Sequence, residues 1–358
     1  MPDMPAFPEI PAFPDFPGPP AILRSRAYHS PPLGGAGGGR RGSPGSLPPF
    51  LLPSVCYFSG FSRVRENCLY YLRVRLGYVK EISYLCSVKN NVLLNIAIRA
   101  ALEAGAEELR IYHLPAEQQE VELKVDQSPL TLADRRAHEI ICSHLAETGL
   151  PILSEEGRHL PHSERKEWQN YWCVDPLDGT KEFVKHSGEF SVNIALMERA
   201  ADGSAAWVPT LGVVFFPATG ALYYTAGEEA YRAQVTDGTD IGQITRLPEH
   251  MQRPYTVVAS VSHMNADTEA YIQTLREAHP DLQLIQGGSS LKLCRVAEGS
   301  ADIYPRLGPT CEWDTAAAHA VVRAAGGDVT SHADGLTLRY NKADLLNPYF
   351  IVELQNIN

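Results

Sequence analysis

The chain has 358 residues, of which 44% are hydrophobic and 20% are charged, and its formal net charge is −11. These values exclude a collagen-like, coiled-coil or wholly disordered chain, and the length predicts two folded units or one unit plus a tail. Residues 1–89 carry ten Lys/Arg against five Asp/Glu, whereas the other 269 residues carry 21 against 37. An acidic body repels nucleic acid and suits hard divalent cations, so a nucleic-acid polymer is not an expected partner.

The first part of the chain differs in composition from the rest. Residues 1–53 hold 14 of the 27 prolines, and residues 34–46 are rich in glycine. Because such composition disfavours helices and packed strands, residues 1–53 are predicted to be a disordered extension; a polyproline ligand for an aromatic groove is the alternative. Residues 54–89 are an uncertain basic segment, which suits either a membrane surface or the same extension.

The cysteines indicate a reducing environment. The seven Cys residues are scattered and no pair has C-x-x-C spacing, so neither a disulfide framework nor a zinc knuckle is indicated. The longest uncharged stretch, residues 207–224, is interrupted by prolines and glycines and is better explained as two core strands than as a membrane span. The first 20 residues lack the basic start of a secretory signal.

Periodic apolar patterns begin at Asn91. Residues 91–112 keep a helical apolar stripe, 121–125 resemble a strand, and a helix is predicted from Thr131 to near Gly149. Residues 150–153 form a short predicted strand that ends before two glutamates.

Further along, strands crowd the middle of the chain and then alternate with helices. Strands are predicted over 171–175, 192–198, 207–216, 220–225, 255–260 and 282–286, helices over 267–280 and 314–327, and a helix followed by a strand over 291–305. This order predicts an α+β half over residues 90–245 and an α/β half over 246–358.

The most informative stretch is DPLDGT at residues 175–180, where a strand runs into two acids three residues apart. Proline and glycine make this turn stiff, and Asp175, Asp178 and the carbonyl of Leu177 could offer three oxygen ligands to Mg²⁺. Thr180 is predicted to cap the helix that follows, whose start would favour a phosphate. An acidic turn that only caps a helix is the alternative.

Two further acidic positions strengthen the metal interpretation. Glu155 and Glu156 follow the strand at 150–153, and Asp314 precedes an alanine-rich helix. Rigid elements can present such acids to one cleft. Three carboxylate positions on separate elements therefore predict a two-metal phosphoryl site, whose metal loop at 175–180 belongs to the half at residues 90–245.

These motifs resemble the inositol monophosphatase superfamily of magnesium-dependent, lithium-sensitive phosphatases. The matching segments are SEE at 154–156, DPLDGT at 175–180, EWDTAA at 312–317 and the glycines at 326–327. The resemblance covers about residues 90–358. It implies a layered αβαβα sandwich of the sugar-phosphatase type, with the metal site in the cleft between its halves.

Within that superfamily the chain is most similar to the CysQ-type 3'(2'),5'-bisphosphate nucleotidases. The branch is indicated by DQSPLTLAD at 126–134, GSSLK at 288–292 and residues 296–310. It implies Mg²⁺-dependent hydrolysis of the 3'-phosphate of adenosine 3',5'-bisphosphate to AMP and phosphate, in sulfur assimilation or nucleotide recycling. Alternatives are a phosphatase for inositol monophosphate or fructose 1,6-bisphosphate, and a metal-dependent nucleotide-binding protein without activity.

The resemblance also implies roles for individual residues around two or three Mg²⁺ ions. Asp134 and Thr180 would activate the attacking water. The implied metal ligands are Glu155, Asp175, the Leu177 carbonyl, Asp178 and Asp314. The candidate substrate contacts are Gly179, Thr180, Ser289, Ser290, Lys292 and Arg306, although a GSSLK segment can also simply cap a helix.

Other expectations concern the surroundings of the site. Val261 stands where relatives usually show a basic residue, which weakens the substrate assignment. His319 is predicted to be a core or surface histidine, Cys173 a core residue, and Asp328 and Asp334 turn acids. No protein partner is evident, and the resemblance implies a cytoplasmic location, either free or loosely attached to the inner membrane.

Overall fold

The structure is a computed structural model that describes residues 92–124, 129–158, 160–200, 206–249, 251–260 and 264–355. All of these residues belong to one unit, Glu81–Asn358. The predicted extension at 1–53 and the basic segment at 54–89 lie outside the described residues.

The helices follow the predicted apolar stripes closely. They are α1 over 92–112, α2 at Leu132–Ala146, α3 at His162–Arg165, α4 at Thr180–Val184, α5 at Ala266–Ala278, α6 at Leu291–Glu298 and α7 at Glu312–Ala324. A short 3-10 turn lies at Ala116–Gln118. The alanine-rich helix begins at Glu312, two residues before the predicted start, so Asp314 lies in its first turn and does not precede it.

Helix α2 shows how local sequence fixes an element. Thr131 is its N-cap and accepts hydrogen bonds from the amides of Ala133 and Asp134, while its own amide donates to Asp134 Oδ2 over 2.7 Å. This reciprocal capping box satisfies amides that have no partner inside a helix. The start predicted at Thr131 is confirmed.

A seven-stranded sheet is built from consecutive strands. These are β3 at Ile152–Ser154, β4 at Asn170–Asp178, β5 at Ser191–Arg199, β6 at Trp207–Phe216, β7 at Ala221–Ala226, β8 at Glu229–Thr236 and β9 at Asp240–Leu247, in that spatial order. Strands β3 and β4 are parallel and all the other neighbours are antiparallel. A separate ribbon pairs β1 at Glu122–Leu123 with β2 at Pro129–Leu130.

A five-stranded sheet uses the remainder of the chain. Its strands are β10 at Thr256–Ser260, β11 at Gln283–Gly287, β12 at Ile303–Arg306, β13 at Gly327–Ser331 and β14 at Phe350–Leu354, in the order β11-β10-β12-β14-β13. Strand β10 is parallel to both β11 and β12, whereas β14 is antiparallel to its neighbours. The boundary predicted between residues 245 and 246 falls within β9, and the division into halves stays a prediction.

Apolar side chains fill the spaces between five layers of helices and sheets. Helices α1 and α2 cover one face of the seven-stranded sheet, where Ile141 packs in one cluster with Trp172. Helices α6 and α7 fill the space between the sheets, where Ala317 shares a cluster with residues of both sheets. Helix α5 covers the far face of the five-stranded sheet, where its Ile272 packs in one cluster with Val257 of β10. Each fully buried large side chain contributes roughly 1.5–3 kcal/mol to this packing.

Five of the described strands were not predicted from the sequence, namely β2, β8, β9, β13 and β14. Strand β9 is mostly exposed at the sheet edge, so its residues show no apolar alternation, and β13 begins at Gly327, the second of the two glycines that follow α7. Asp328 lies in β13, so its assignment as a turn acid is wrong; Asp334 does lie in a turn. Cys173 is buried in the core as predicted.

Candidate active site

Strand β4 delivers two acids to one end of the seven-stranded sheet. Its pairing with β5 shifts register between Asp175 and Asp178, so the chain bulges at the proline-containing turn. Asp175 is only 1% exposed, and its Oδ1 accepts the amide of Leu177 over 3.1 Å. A bulge of this kind redirects side chains at a strand end. The two acids therefore leave the sheet in directions that a regular strand would not allow.

Two further acids reach Asp175 from separate elements. Glu155 follows β3, and its amide donates to the carbonyl of Val174 on β4 over 3.1 Å. Asp314 is held in the first turn of α7, where its Oδ2 accepts the amide of Cys311 over 2.8 Å. Carboxylate oxygens of Glu155, Asp175 and Asp314 all lie within 4.8 Å of one another. The structure thus brings together residues 155, 175 and 314, as the sequence predicts.

This closeness strongly perturbs the acids. Burial, followed by the negative charge of Glu155 and then that of Asp178, holds the pKa of Asp175 well above its usual range. Burial and the charges of Asp178 and Glu155 do the same to the pKa of Asp314. Like charges at short range in a buried site disfavour ionisation unless a cation compensates them. The cluster therefore favours a positive charge at its centre.

Lys124, which sequence reasoning missed, already supplies one such charge. Its Nζ lies 2.6 Å from Glu155 Oε1 and 2.6 Å from Glu156 Oε1. Burial lowers its pKa, but the charges and hydrogen bonds of the two glutamates raise that pKa above its usual value. Lys124 directly follows β1, so the end of this strand positions the ammonium beside the two glutamates.

The start of α4 differs from the prediction in one residue. Gly179 is the N-cap, with φ of 90°, and Thr180 is the first helical residue, so Thr180 does not cap a helix starting at Lys181. A Cβ at Gly179 would lie 2.9 Å from the carbonyl oxygen of Glu189, which explains the glycine. Freed from capping, the Thr180 hydroxyl lies 3.2 Å from Asp134 Oδ1 and 3.3 Å from the Leu177 carbonyl.

Asp134 is held from the opposite side. Its Oδ2 accepts both the amide and the hydroxyl of Thr131, over 2.7 and 2.6 Å. Burial raises the pKa of Asp134 to about 6, although the hydrogen bonds from Thr131 lower it. At neutral pH the ionised form therefore predominates, with Oδ1 directed at Thr180.

The GSSLK segment supports Asp178 from across the cleft. The hydroxyls of Ser289 and Ser290 donate to Asp178 Oδ2 over 2.6 and 3.0 Å, and Ser191 on β5 lies 2.5 Å from Ser289. Ser289 has φ of 48°, in the left-handed region. Both serines thus contact an acid in this structure, and their contact with substrate stays a prediction.

A cavity of about 260 Å³ opens above the acids. The predicted residues that line it are Glu155, Asp175, Leu177, Asp178, Gly179, Thr180, Ser289, Lys292, Arg306 and Asp314. Asp134 and Ser290 lie behind its wall, bonded to Thr180 and Asp178. Ser260 and Tyr304 also line it and were not predicted, whereas residues 261–263, including Val261, lie outside the described residues.

The basic side of the cavity is formed by Lys292 and Arg306, which are 5% and 9% exposed. Lys292 Nζ donates to the Ser289 carbonyl over 2.6 Å and lies 5.5 Å from the ring centroid of Tyr304. Burial lowers the pKa of Lys292 to about 8, an effect that Asp178 opposes and Arg306 reinforces. Arg306 Nη2 donates to the Pro309 carbonyl, while its buried Nε has no partner among the described residues. The cavity therefore joins an acidic wall to a basic one.

Comparison with known proteins agrees with this arrangement. The sequence model of the inositol monophosphatase family matches residues 89–357. The chain belongs to the inositol monophosphatase family. Members of this family are metal-dependent phosphatases, and magnesium dependence and lithium sensitivity are typical of them.

Two relatives and one solved structure belong to a narrower branch. The 3'(2'),5'-bisphosphate nucleotidase CysQ of Salmonella typhimurium is 41% identical over 266 residues, which is 73% of this chain and 100% of that protein. The corresponding protein of Haemophilus influenzae is 33% identical over 74% of this chain and 93% of its own length. The crystal structure of CysQ from Bacteroides thetaiotaomicron has a TM-score of 0.67 and 46% identity, covering 74% of this chain and 98% of that one. The predicted layered sandwich is confirmed.

The described residues fit the metal that the family requires. Clustered carboxylates are the hard oxygen donors that divalent cations prefer, and the raised pKa values of Asp175 and Asp314 arise from burial and from the negative charges of neighbouring acids, which a bound cation would offset. Among the helices that the structure describes, each is too short or too polar to cross a membrane.

Proposed function

We propose that the chain hydrolyses the 3'-phosphate of adenosine 3',5'-bisphosphate, giving AMP and phosphate, with Mg²⁺ as the metal. The observation that carries this proposal is the two-sided cavity, in which an acid cluster faces the buried cations Lys292 and Arg306. A substrate with two phosphates suits both walls, since one phosphate needs metal ions and the other needs protein cations. The names of the nucleotidase relatives support the same substrate.

The proposed metal ligands are the five predicted positions on three elements. Glu155, Asp175 and the Leu177 carbonyl would hold one Mg²⁺, and Asp175, Asp178 and Asp314 a second, with Asp175 shared. When bound, such ions neutralise phosphate oxygens and lower the pKa of a coordinated water. The serines that bond to Asp178 fix its Oδ2, which leaves the other oxygen to face the cavity.

Asp134 and Thr180 are proposed to remove the proton of the attacking water. Thr180 Oγ1 donates to Asp134 Oδ1, so its lone pairs are available to accept a proton from water in the cavity. Because the pKa of Asp134 is about 6, its carboxylate can receive the hydroxyl proton at neutral pH. This proton relay uses a hydroxyl and a carboxylate and needs no histidine.

Lys292 and Arg306 are proposed to bind the second phosphate. Lys292 carries a positive charge below about pH 8, and the unpartnered Nε of Arg306 is a donor beside the same cavity. Gly179, Ser289 and Ser290 would complete the substrate contacts. A cytoplasmic location and weak contact with the inner membrane remain predictions of the family resemblance.

A substrate panel tests the proposal. The full chain with MgCl₂ should release phosphate from adenosine 3',5'-bisphosphate faster than from inositol 1-phosphate or fructose 1,6-bisphosphate. Asp178→Asn should abolish release, whereas Asp334→Asn, which alters an exposed turn acid, should leave it unchanged. Normal turnover by a folded Asp178→Asn protein refutes the metal assignment.

The other outcomes identify the alternatives. Faster release from inositol 1-phosphate or from fructose 1,6-bisphosphate would assign the enzyme to another branch of the family. Metal-dependent nucleotide binding without release from any of the three substrates would make the chain a binding protein.

A further inference from the structure

Asn193 is a buried polar residue that the reaction described above does not use. It lies in the middle of β5, is 1% exposed, and neither its Nδ2 nor its Oδ1 has a hydrogen-bond partner among the described residues. Leaving a buried polar group unsatisfied costs roughly 1–3 kcal/mol, and most such groups in folded proteins are bonded. A carboxamide here therefore points to an interaction with a group near it.

The sheet register places this side chain beside Asp175. Asp175 on β4 and Asn193 on β5 are direct partners in an antiparallel pair. Direct partners project from the same face, with Cβ atoms about 4.5–5.5 Å apart. The alternation of buried residues agrees, because Ala195 and Met197 pack in the core between the sheets while Ile194 packs against α1 and α2.

Helix α7 covers the same face. On β6, Gly212 approaches α7 so closely that a Cβ there would lie 2.1 Å from the carbonyl oxygen of Ala317. Val214, the β6 partner of Asn193, packs in one cluster with Trp313 and Ala317. The turn of α7 that carries Asp314 therefore lies over Asn193.

Another residue on β5, Ser191, already supports an acid of the site through hydrogen bonds. Ser191, two residues before Asn193 and on the same face, lies 2.5 Å from Ser289, which in turn donates to Asp178. Strand β5 thus supports the acid at the end of β4 through hydrogen bonds. Asn193 lies directly beside Asp175 in the strand pair, and Asp175 Oδ1 already accepts the Leu177 amide.

We propose that Asn193 is a positioning residue for the acid cluster, whose unpartnered carboxamide would donate to the adjacent Asp175 carboxylate and orient it when a cation binds. The inference rests on the proposed function, because it assumes that Asp175 binds the metal. A donor that fixes one oxygen of a ligating carboxylate sets the direction of the remaining lone pairs, and loss of such a donor typically lowers metal affinity 10–100-fold. Asn193 acts through Asp175 and does not contact the substrate.

Direct measurement of metal binding tests the inference without relying on turnover. Asn193→Leu keeps the side-chain size but removes the amide, and Met197→Leu is a matched control on the same face of β5 and away from the acids. Calorimetric titration of the full chain with MnCl₂ should show a dissociation constant raised about 10–100-fold in Asn193→Leu and unchanged in Met197→Leu. In turnover assays, Asn193→Leu should need more Mg²⁺ for half-activation, with KM for the nucleotide at saturating Mg²⁺ near that of the unaltered chain.

The outcomes separate this inference from the proposed function. A folded Asn193→Leu protein that binds Mn²⁺ within twofold of the unaltered chain overturns the inference and leaves the function intact. An unaltered chain that neither binds Mn²⁺ nor releases phosphate overturns the function itself. If circular dichroism shows that Asn193→Leu does not fold, Asn193→Ser decides: its shorter hydroxyl should give an intermediate loss of Mn²⁺ affinity, and no loss refutes the role.

Discussion

Glu108 on α1 is a carboxyl group in a place where a carboxylate is unfavourable. It is fully buried, and neither carboxyl oxygen has a hydrogen-bond partner among the described residues. Burial, and secondly the charge of Asp134, hold its pKa well above the usual value. One turn to either side, Ala104 and Ile111 pack in apolar clusters. Glu108→Leu should therefore stabilise the fold.

The magnitude follows from proton linkage. The pKa of Glu108 is higher in the folded chain than in the unfolded chain, so the folded state retains a proton that the unfolded state releases. The resulting stabilisation is complete below the unfolded pKa and is lost as pH rises towards the folded pKa, by about 1.4 kcal/mol per pH unit. Removal of the unsatisfied oxygens should make Glu108→Leu more stable by about 1–3 kcal/mol at pH 4.5, and this gain should grow by about 1.4 kcal/mol for each pH unit up to the folded pKa of Glu108, so it is larger at pH 7.5.

Urea denaturation at both pH values measures this difference. The acid cluster is the same in the unaltered chain and in Glu108→Leu. The difference between their free energies of unfolding therefore changes with pH because of Glu108. Glu107→Gln is the matched control, because the neighbouring Glu107 is partly exposed and pairs with Arg110 over 2.7 Å. Its effect should stay within about 0.5 kcal/mol at both pH values. The reasoning is contradicted if Glu108→Leu is less stable than the unaltered chain at pH 7.5. It is also contradicted if the difference between their free energies of unfolding does not change with pH.

Three other substitutions probe separate parts of the site. Gly212→Ala should lower the free energy of unfolding by about 1–3 kcal/mol and reduce kcat, because its Cβ would push α7 away at Ala317; an unchanged melting temperature would contradict this. The KM for adenosine 3',5'-bisphosphate should rise above about pH 8, where Lys292 loses its charge, and Lys292→Arg should remove that rise. Asp134→Asn should lower kcat about 10²–10⁴-fold with little change in Mn²⁺ affinity, and equal losses in both would assign Asp134 to the metal site.

The turn that carries Asp175 and Asp178 was predictable because its residues lie in one short, stiff segment. The turn at 175–180 carries its acids, its proline and its glycine within six residues, so local chemistry indicates the geometry. Thr180 shows the limit of that reasoning. Its assignment as a helix cap failed by one residue, because the left-handed Gly179 takes that position and releases the Thr180 hydroxyl towards Asp134.

The supporting contacts could not be predicted because they join residues far apart in the chain. Lys124 meets Glu155 across 31 positions, and Ser191 meets Ser289 across 98. Neither Lys124 nor Ser191 lies in a local sequence pattern that would predict these partners. Asn193 was missed for a related reason, since only the register of β4 against β5 places it beside an acid.

The repulsion between the clustered acids lowers the stability of the folded chain, and the same repulsion favours the binding of a cation. Raised pKa values in Asp175 and Asp314 mean that the folded state resists their ionisation, so without a bound cation stability falls as pH rises through the range where these acids lose protons. A divalent cation that binds only the folded chain reverses this effect and stabilises it by mass action. Lys124 offsets part of this repulsion through Glu155 and Glu156 but has no ion pair with Asp175 or Asp314 among the described residues, so a cation is still needed to compensate those two acids. Strong metal binding and a metal-dependent fold are therefore expected to have one cause.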